Sequence, residues 1–135
     1  NLVNSATYVF VLDANNKEAP LLTVQELPPY GVDTAVYLKG SMNGWSNNSP
    51  MMYAGGNIYS IDISLDAIPY EFKFADANWA AINYGAANGA FTLGEAKALE
   101  YNAGNLSLNV TEAGTYRFSV DATVPDAPVM TIMKL

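Results

Sequence analysis

The sequence predicts an all-β protein, an immunoglobulin-like antiparallel β-sandwich, and three observations point there. Short runs alternate apolar with polar residues at a period of two. Turn residues separate these runs at close intervals. Only residues 94–101 could make a helical turn or two. In chain order, the strand expectations begin with 7–13 (TYVFVLD), rich in β-branched and aromatic residues, followed by a strand started by Pro20. Next come 35–40, ending on Gly40, then 57–64, in which Ile61 and Ile63 alternate with polar neighbours, and 68–75 with its Tyr70, Phe72, Phe74 spacing. The series closes with 106–110 and 115–120. The punctuation is Asn43-Gly44, Gly55-Gly56-Asn57, Asn88-Gly89, Ala103-Gly104-Asn105 and Ala113-Gly114, residue types that supply turn conformations.

Composition narrows the chemistry. The chain has 135 residues, half of them hydrophobic and 12% aromatic, enough for a core without disulfides or metals. It has no Cys and no His, so neither a His-assisted Ser or Cys nucleophile nor a His/Cys zinc site can be assembled. Net charge is −7, the wrong sign for nucleic acid or an anionic membrane surface. No apolar run approaches the roughly 20 residues of a membrane span. The start, Asn1-Leu2-Val3-Asn4, lacks the basic and apolar regions of a secretory signal. Binding, scaffolding or carboxylate-based catalysis remain, with no cofactor implied.

An internal repeat organises the chain. Thr7 to Ala14 and Ala19 to Val24 return as Thr115 to Ala122 and Ala127 to Ile132, at a constant offset of 108 residues and without a gap. Eight positions in these stretches are identical: Thr, Tyr, Phe, Asp, Ala, Ala, Pro and Thr. Each copy reads as strand, Asp-Ala turn, Pro-started strand, which suits a closing hairpin because Pro is tolerated at a strand start. Residues 30–135 then form one complete module. Residues 1–29 read as the last hairpin of a preceding copy plus a Pro28-Pro29 linker, so the parent protein is expected to be a tandem array. A lone hairpin is marginal in water. It therefore packs on its own module, on a neighbouring chain as a strand-swapped dimer, or on the rest of a truncated domain.

Both Trp residues fall in turn-like settings just past strands. Trp45 lies in Gly40-Ser41-Met42-Asn43-Gly44-Trp45-Ser46, and Trp79 in Asp76-Ala77-Asn78-Trp79. Core packing is one reading of such a residue. The other is an exposed aromatic face for the apolar C–H face of a pyranose ring, with nearby polar groups taking the hydroxyls.

The stretch from Val36 to Ser46, then Asn57 to Ile63, then Tyr70 to Trp79 resembles the starch- and glycogen-binding modules of carbohydrate-binding module family 48. It is also similar to the related modules of bacterial pullulanases and amylases, and to the glycogen-binding β subunits of the AMP-activated kinase. The shared order is a strand ending Gly-Ser-x-Asn-x-Trp, a middle hairpin, and Tyr-x-x-Lys-Phe followed by Asp-x-x-Trp, spanning about Val36 to Val110. The resemblance implies stacking of consecutive glucose rings on Trp45 and Trp79, with Lys73 and Asn105 bonding their hydroxyls. Here the Lys73 to Trp79 spacing is one residue shorter than in the kinase subunits. Residues 80–102 form a longer segment rich in Ala, Gly and Asn, offering Asn83, Tyr84, Asn88 and Tyr101 as further sugar contacts or as a covering loop.

The remaining carboxylates read as structural. Asp62 and Asp66 suit a solvated face, and Asp13 and Asp121 suit turns through side-chain to backbone bonds. Asp76 with Asn78 lacks the alternating acidic spacing of a calcium loop, so no metal is expected. No carboxylate pair sits in an aromatic-lined motif of the kind glycoside hydrolysis needs. The sequons at Asn105 and Asn109 read as chance matches. The expectation is thus a non-catalytic module of a larger secreted bacterial amylolytic enzyme, with neighbouring modules in the same parent chain. Its partner is an α-1,4-glucan polysaccharide or maltooligosaccharide, not nucleic acid or membrane. The rivals are a structural spacer of the same fold and an intracellular glycogen-sensing subunit. A Trp45 ring buried under 80–102 would favour the spacer.

Overall fold

The computed structural model describes residues 7–13 and 21–135, with side chains from Leu27 onward. The turn opened by Asp13-Ala14 and closed at Pro20 lies outside the described residues. The strands are β1 (Thr7–Asp13), β2 (Leu21–Leu27), β3 (Val36–Gly40), β4 (Pro50–Gly55), β5 (Ile58–Leu65), β6 (Pro69–Ala75), β7 (Asn83–Gly85), β8 (Lys97–Ala98), β9 (Glu100–Tyr101), β10 (Leu106–Asn109), β11 (Gly114–Asp121) and β12 (Val129–Lys134). β1 and β2 form a two-stranded sheet. The others follow the order β8-β12-β11-β5-β4-β3-β6-β7-β9, with β10 also pairing with β6. All strand pairs are antiparallel, and one isolated parallel bridge joins Ala90 to Ser107.

This path folds into two layers because β4 changes partners midway. Its start, Pro50 and Met51, pairs with β3, and from Met52 onward it pairs with β5. One layer is then β8-β12-β11-β5-β4 and the other β4-β3-β6-β7-β9 with β10. Period-two alternation turns Tyr116, Phe118 and Val120 of β11 and Phe72 and Phe74 of β6 into the space between, all nearly or wholly buried. Phe72 meets Phe118 edge-on across the layers at 5.3 Å and 88°, and Tyr59 of β5 lies 6.3 Å from Phe74. Burying each such ring stabilises the fold by about 1.5–3 kcal/mol. The sequence expectation of an all-β antiparallel sandwich is what forms.

Residues 94–101 are not helical. β8 pairs with β12 at one end of the strand path and β9 with β7 at the other, with only Leu99 between them. Leu99 is buried, and its N–H donates to the Pro128 carbonyl at 2.9 Å. Two open edges would otherwise present unpaired backbone groups, and this short corner covers both. The β4–β5 hairpin turns through Gly56 (φ 61°) and Asn57 (φ 68°), the paired positive φ that matches strand twist. Tyr30 anchors the chain after Pro28-Pro29. Its ring packs 5.6 Å from Tyr59 and 5.9 Å from Phe74, and its hydroxyl donates to the Pro125 carbonyl at 2.8 Å. That burial, with Tyr84, Tyr59 and Asp126 nearby, holds its phenol well above the ordinary tyrosine range.

Gly40 is fixed by close approach. A Cβ there would fall 2.4 Å from the Glu71 carbonyl oxygen and 2.7 Å from Phe72 Cβ. Replacing Gly40 by Ala should therefore force β3 away from β6 and cost about 1–3 kcal/mol, read as a lower midpoint in urea unfolding.

Candidate functional site

β3 and β6 are antiparallel neighbours joined in a short ladder, Tyr37↔Ala75, Leu38↔Phe74, Lys39↔Lys73 and Gly40↔Phe72. Leu38, Phe72 and Phe74 face the core, so Lys39 and Lys73 stand side by side on the outer face. The loop after β3 leaves one end of this ladder and the loop after β6 leaves the other. Both fold back over the outer face, and their Trp rings meet there, 6.2 Å apart between centroids and tilted by 41°.

Each loop is closed by one polar side chain. In the first, Asn43 Oδ1 accepts from the Gly40 N–H at 3.1 Å. Its Nδ2 donates to the Leu38 carbonyl at 2.7 Å and to Ser49 Oγ at 2.9 Å. The Trp45 N–H returns to the Gly40 carbonyl at 2.9 Å across Gly44, whose φ is 66°. This is the bonding of a helix C-terminus, here ending the 3-10 turn Ser41–Asn43. In the second loop, Asp76 Oδ1 accepts from the N–H groups of Asn78 (3.2 Å) and Ala80 (2.9 Å). Oδ2 accepts from Ala81 (2.9 Å) and Ile82 (3.2 Å). Burial raises the Asp76 pKa, but these four donors outweigh it and hold the carboxyl below its usual value.

Both loops leave their Trp in the left-handed region, Trp45 at φ 61° and Trp79 at φ 58°. That conformation is an outlier for a bulky side chain and costs on the order of 1–2 kcal/mol. Strain of this kind gathers where a side chain is displayed. Both rings are partly exposed. Beneath them, Lys39 is 1% exposed, with Nζ 4.5 Å from the Trp79 ring centroid and donating to the Ala77 carbonyl at 3.0 Å. Burial lowers the Lys39 pKa, and the Asp76 charge pulls it back up. Buried Lys39 thus lies against the inner side of Trp79, a residue that is itself partly exposed.

The other sequence candidates divide. Lys73 is 8% exposed and donates to the Ala103 carbonyl at 2.7 Å, and burial lowers its pKa. Its ammonium is thus turned into the Ala103-Gly104-Asn105 turn rather than out to solvent, although the same bond sets it next to exposed Asn105. Tyr84 is a core residue, 4% exposed, packed 6.4 Å from Phe74, with its hydroxyl on the Pro125 carbonyl at 3.1 Å. Its place on β7, facing inward, leaves it no surface for a sugar. Tyr101 is 51% exposed, and its hydroxyl donates to the Ala80 carbonyl, bracing the residue next to Trp79. Sequence reasoning missed Lys39. Its signal was available, a Lys one residue before the Gly that precedes the Trp45 turn, but alternation alone reads it as a solvated face.

Asp121 bonds the Thr123 N–H and hydroxyl, a turn role, and Asp62 forms an exposed ion pair with Arg117. The four backbone donors leave Asp76 engaged, and among the described residues no group of three acidic side chains gathers. A groove of about 550 Å³ opens on the outer face of β4, β5 and β11, lined by Met52, Ile61, Arg117 and Ser119 among others. No aromatic ring lines it, so it offers a sugar no flat surface.

No family model and no curated protein matches the chain. Among solved structures it is similar to one described as "Ligand induced structure of AmyP-SBD", at 20% identity and a TM-score of 0.61, over 76% of this chain and 73% of that one. At that identity the likeness is one of fold.

Two outcomes test the loop geometry. Trp45→Gly removes the left-handed strain together with the ring, and should leave unfolding free energy within about 1 kcal/mol of the parent in urea melts. Asp76→Asn, which turns an N–H donor toward backbone donors, should cost about 1–3 kcal/mol at neutral pH. Because the folded Asp76 pKa is depressed, its contribution is present above the ordinary carboxylate value and lost as pH falls through the folded one. The Trp79 indole NMR signal should therefore hold through neutral and mildly acid pH, shift only in strong acid, and lose that acid step in Asp76→Asn.

Proposed function

We propose that this chain is a non-catalytic module that binds α-glucan, taking a maltooligosaccharide or starch chain across Trp45 and Trp79. The observation that carries the reading is the pair of partly exposed indoles, 6.2 Å apart and tilted by 41°, held up by two loops closed from opposite ends of one ladder. An α-1,4 linkage turns successive pyranose rings into a curve, which a tilted pair of ring faces follows. A β-1,4 chain is a flat ribbon and would call for coplanar rings. Exposed Tyr101, whose hydroxyl donates to the Ala80 carbonyl next to Trp79, and exposed Asn105 would be the polar groups that meet ligand hydroxyls. Lys73 and Lys39 support the surface from within. The abbreviation in the structural neighbour's description, taken as starch-binding domain, agrees with this reading. The parent would be a secreted amylolytic enzyme carrying the module to its polymer.

A Trp45 ring buried under residues 80–102 would favour the spacer reading. Trp45 is instead partly exposed and packs on Trp79.

Two stacked rings on an open surface should bind in the millimolar to micromolar range, about −4 to −8 kcal/mol. In calorimetry with maltoheptaose or β-cyclodextrin, Trp45→Ala and Trp79→Ala should each weaken binding at least about tenfold. Cellohexaose should bind far more weakly than maltoheptaose, and salt up to roughly 0.5 M should leave affinity unchanged because the ligand is neutral. Unaltered maltoheptaose affinity in both Trp variants sinks the proposal.

A further inference from the structure

The two hairpins share more than sequence. The β1–β2 ladder runs from Thr7↔Leu27 through Tyr8↔Glu26 to Asp13↔Leu21. The β11–β12 ladder runs from Tyr116↔Lys134 to Asp121↔Val129, and the Leu135 N–H donates to the Thr115 carbonyl just beyond it. Adding 108 to both members of any β1–β2 pair gives its counterpart in the second hairpin. A shift by one residue would have exchanged the two faces of the strand.

Which positions are kept is informative. In the module, Tyr116, Phe118, Val120, Ala122, Met130 and Ile132 are each at most 1% exposed. Their counterparts in the sequence are Tyr8, Phe10, Leu12, Ala14, Leu22 and Val24, identical or alike at every one. Among the other positions Thr7, Asp13, Ala19, Pro20 and Thr23 are also identical to their counterparts, whereas Arg117 corresponds to Val9, Ser119 to Val11, Met133 to Gln25 and Lys134 to Glu26. Retention in kind of all six buried positions, together with the Asp-Ala turn start and the Pro-started strand, is the pattern of a hairpin that fills the same kind of core.

In the module that core is completed by β5, which pairs with β11 from Gly114↔Leu65 to Asp121↔Ile58. Among the described residues β1 pairs only with β2. Among the described residues, then, no strand takes on β1 the edge that β11 gives to β5. A second copy of this chain offers no vacant β5, because its own β11 already occupies that strand along its length. We propose that β1–β2 is the closing hairpin of a further module of the same fold in the same polypeptide, whose β5-like strand takes that edge of β1. The partner of this edge is thus a strand of alternating apolar and polar residues in an N-terminally adjoining module. Consecutive modules would share their boundary at Pro28-Pro29, which gives the parent repeated sites on one polymer and an affinity gain through effective concentration.

The test is a hairpin exchange in the full chain, with residues 115–135 replaced by the sequence of residues 7–27. A control carries the same residues in scrambled order. The exchanged chain should keep a single cooperative thermal transition, with a midpoint within about 15 °C of the parent. It should also keep the amide NMR pattern of residues 36–113, whereas the scrambled control should show neither. Loss of cooperative unfolding in the exchanged chain would overturn the proposal. So would a parent chain that sediments as a dimer whose hairpins cross-link between copies. Neither readout depends on glucan binding, so failure here is distinct from failure of the proposed function.

Discussion

The convergence of four backbone N–H groups on the Asp76 carboxylate is the interaction on which the outer surface of the second layer depends. Without an acceptor at the centre of 76–82, those donors would need water, and the loop would have no reason to fold back over β3. With it, Ala77 presents its carbonyl to Lys39 and Trp79 lies across the same ammonium. Asp76 also offsets part of the cost of burying that charge, since its field opposes the desolvation that lowers the Lys39 pKa. A carboxylate and an amine, neither bonded to the other, thus determine where an indole sits.

The two loops reach a common result from different chemistry. Asn43 uses an amide, able to donate and accept at once, to join Gly40, Leu38 and Ser49. Asp76 accepts only. Each nevertheless leaves the tryptophan two or three residues later at a φ near 60°, a conformation neither ring would choose. The strain persists because the surrounding bonds over-determine the backbone, and that rigidity would matter for the weak ligand proposed here. Ordering a platform at the moment of binding would consume much of the few kcal/mol that two stacking contacts supply. A platform whose backbone is already locked avoids most of that cost.

How much of this was legible in the sequence depends on whether the signal was local. Alternation located β5, β6, β10 and β11, because period two is a property of a few consecutive residues. It missed β4, where Pro50-Met51-Met52-Tyr53-Ala54-Gly55 does not alternate because the strand changes layers at Met52. It left room for a helical turn or two at residues 94–101 because β8 and β9 are held by distant partners and have almost no pattern of their own. The two tryptophans were visible from their Gly- and Asn-rich settings. Tyr84 was not separable from Tyr101, since burial is decided by β7 facing Phe74, not by the sequence around it. Lys73 and Lys39 show the same limit. Each looks like a solvated strand lysine, and only loops arriving from elsewhere bury them.

The lysines also explain how a chain with six basic and thirteen acidic residues builds this surface. Two of those six cations lie under the candidate site, yet both ammonium groups point into backbone carbonyls, Ala77 for Lys39 and Ala103 for Lys73. Their charge is spent on fixing loops, where a low-dielectric setting makes each such bond count for more than it would in water. What reaches solvent above them is aromatic and amide surface with little net field. A polyanion would find no cation to pair with there, and an anionic glycan would meet a protein of its own sign. A neutral polymer loses nothing on either account, so the chain's acidity is compatible with the neutral glucan proposed for the tilted indoles.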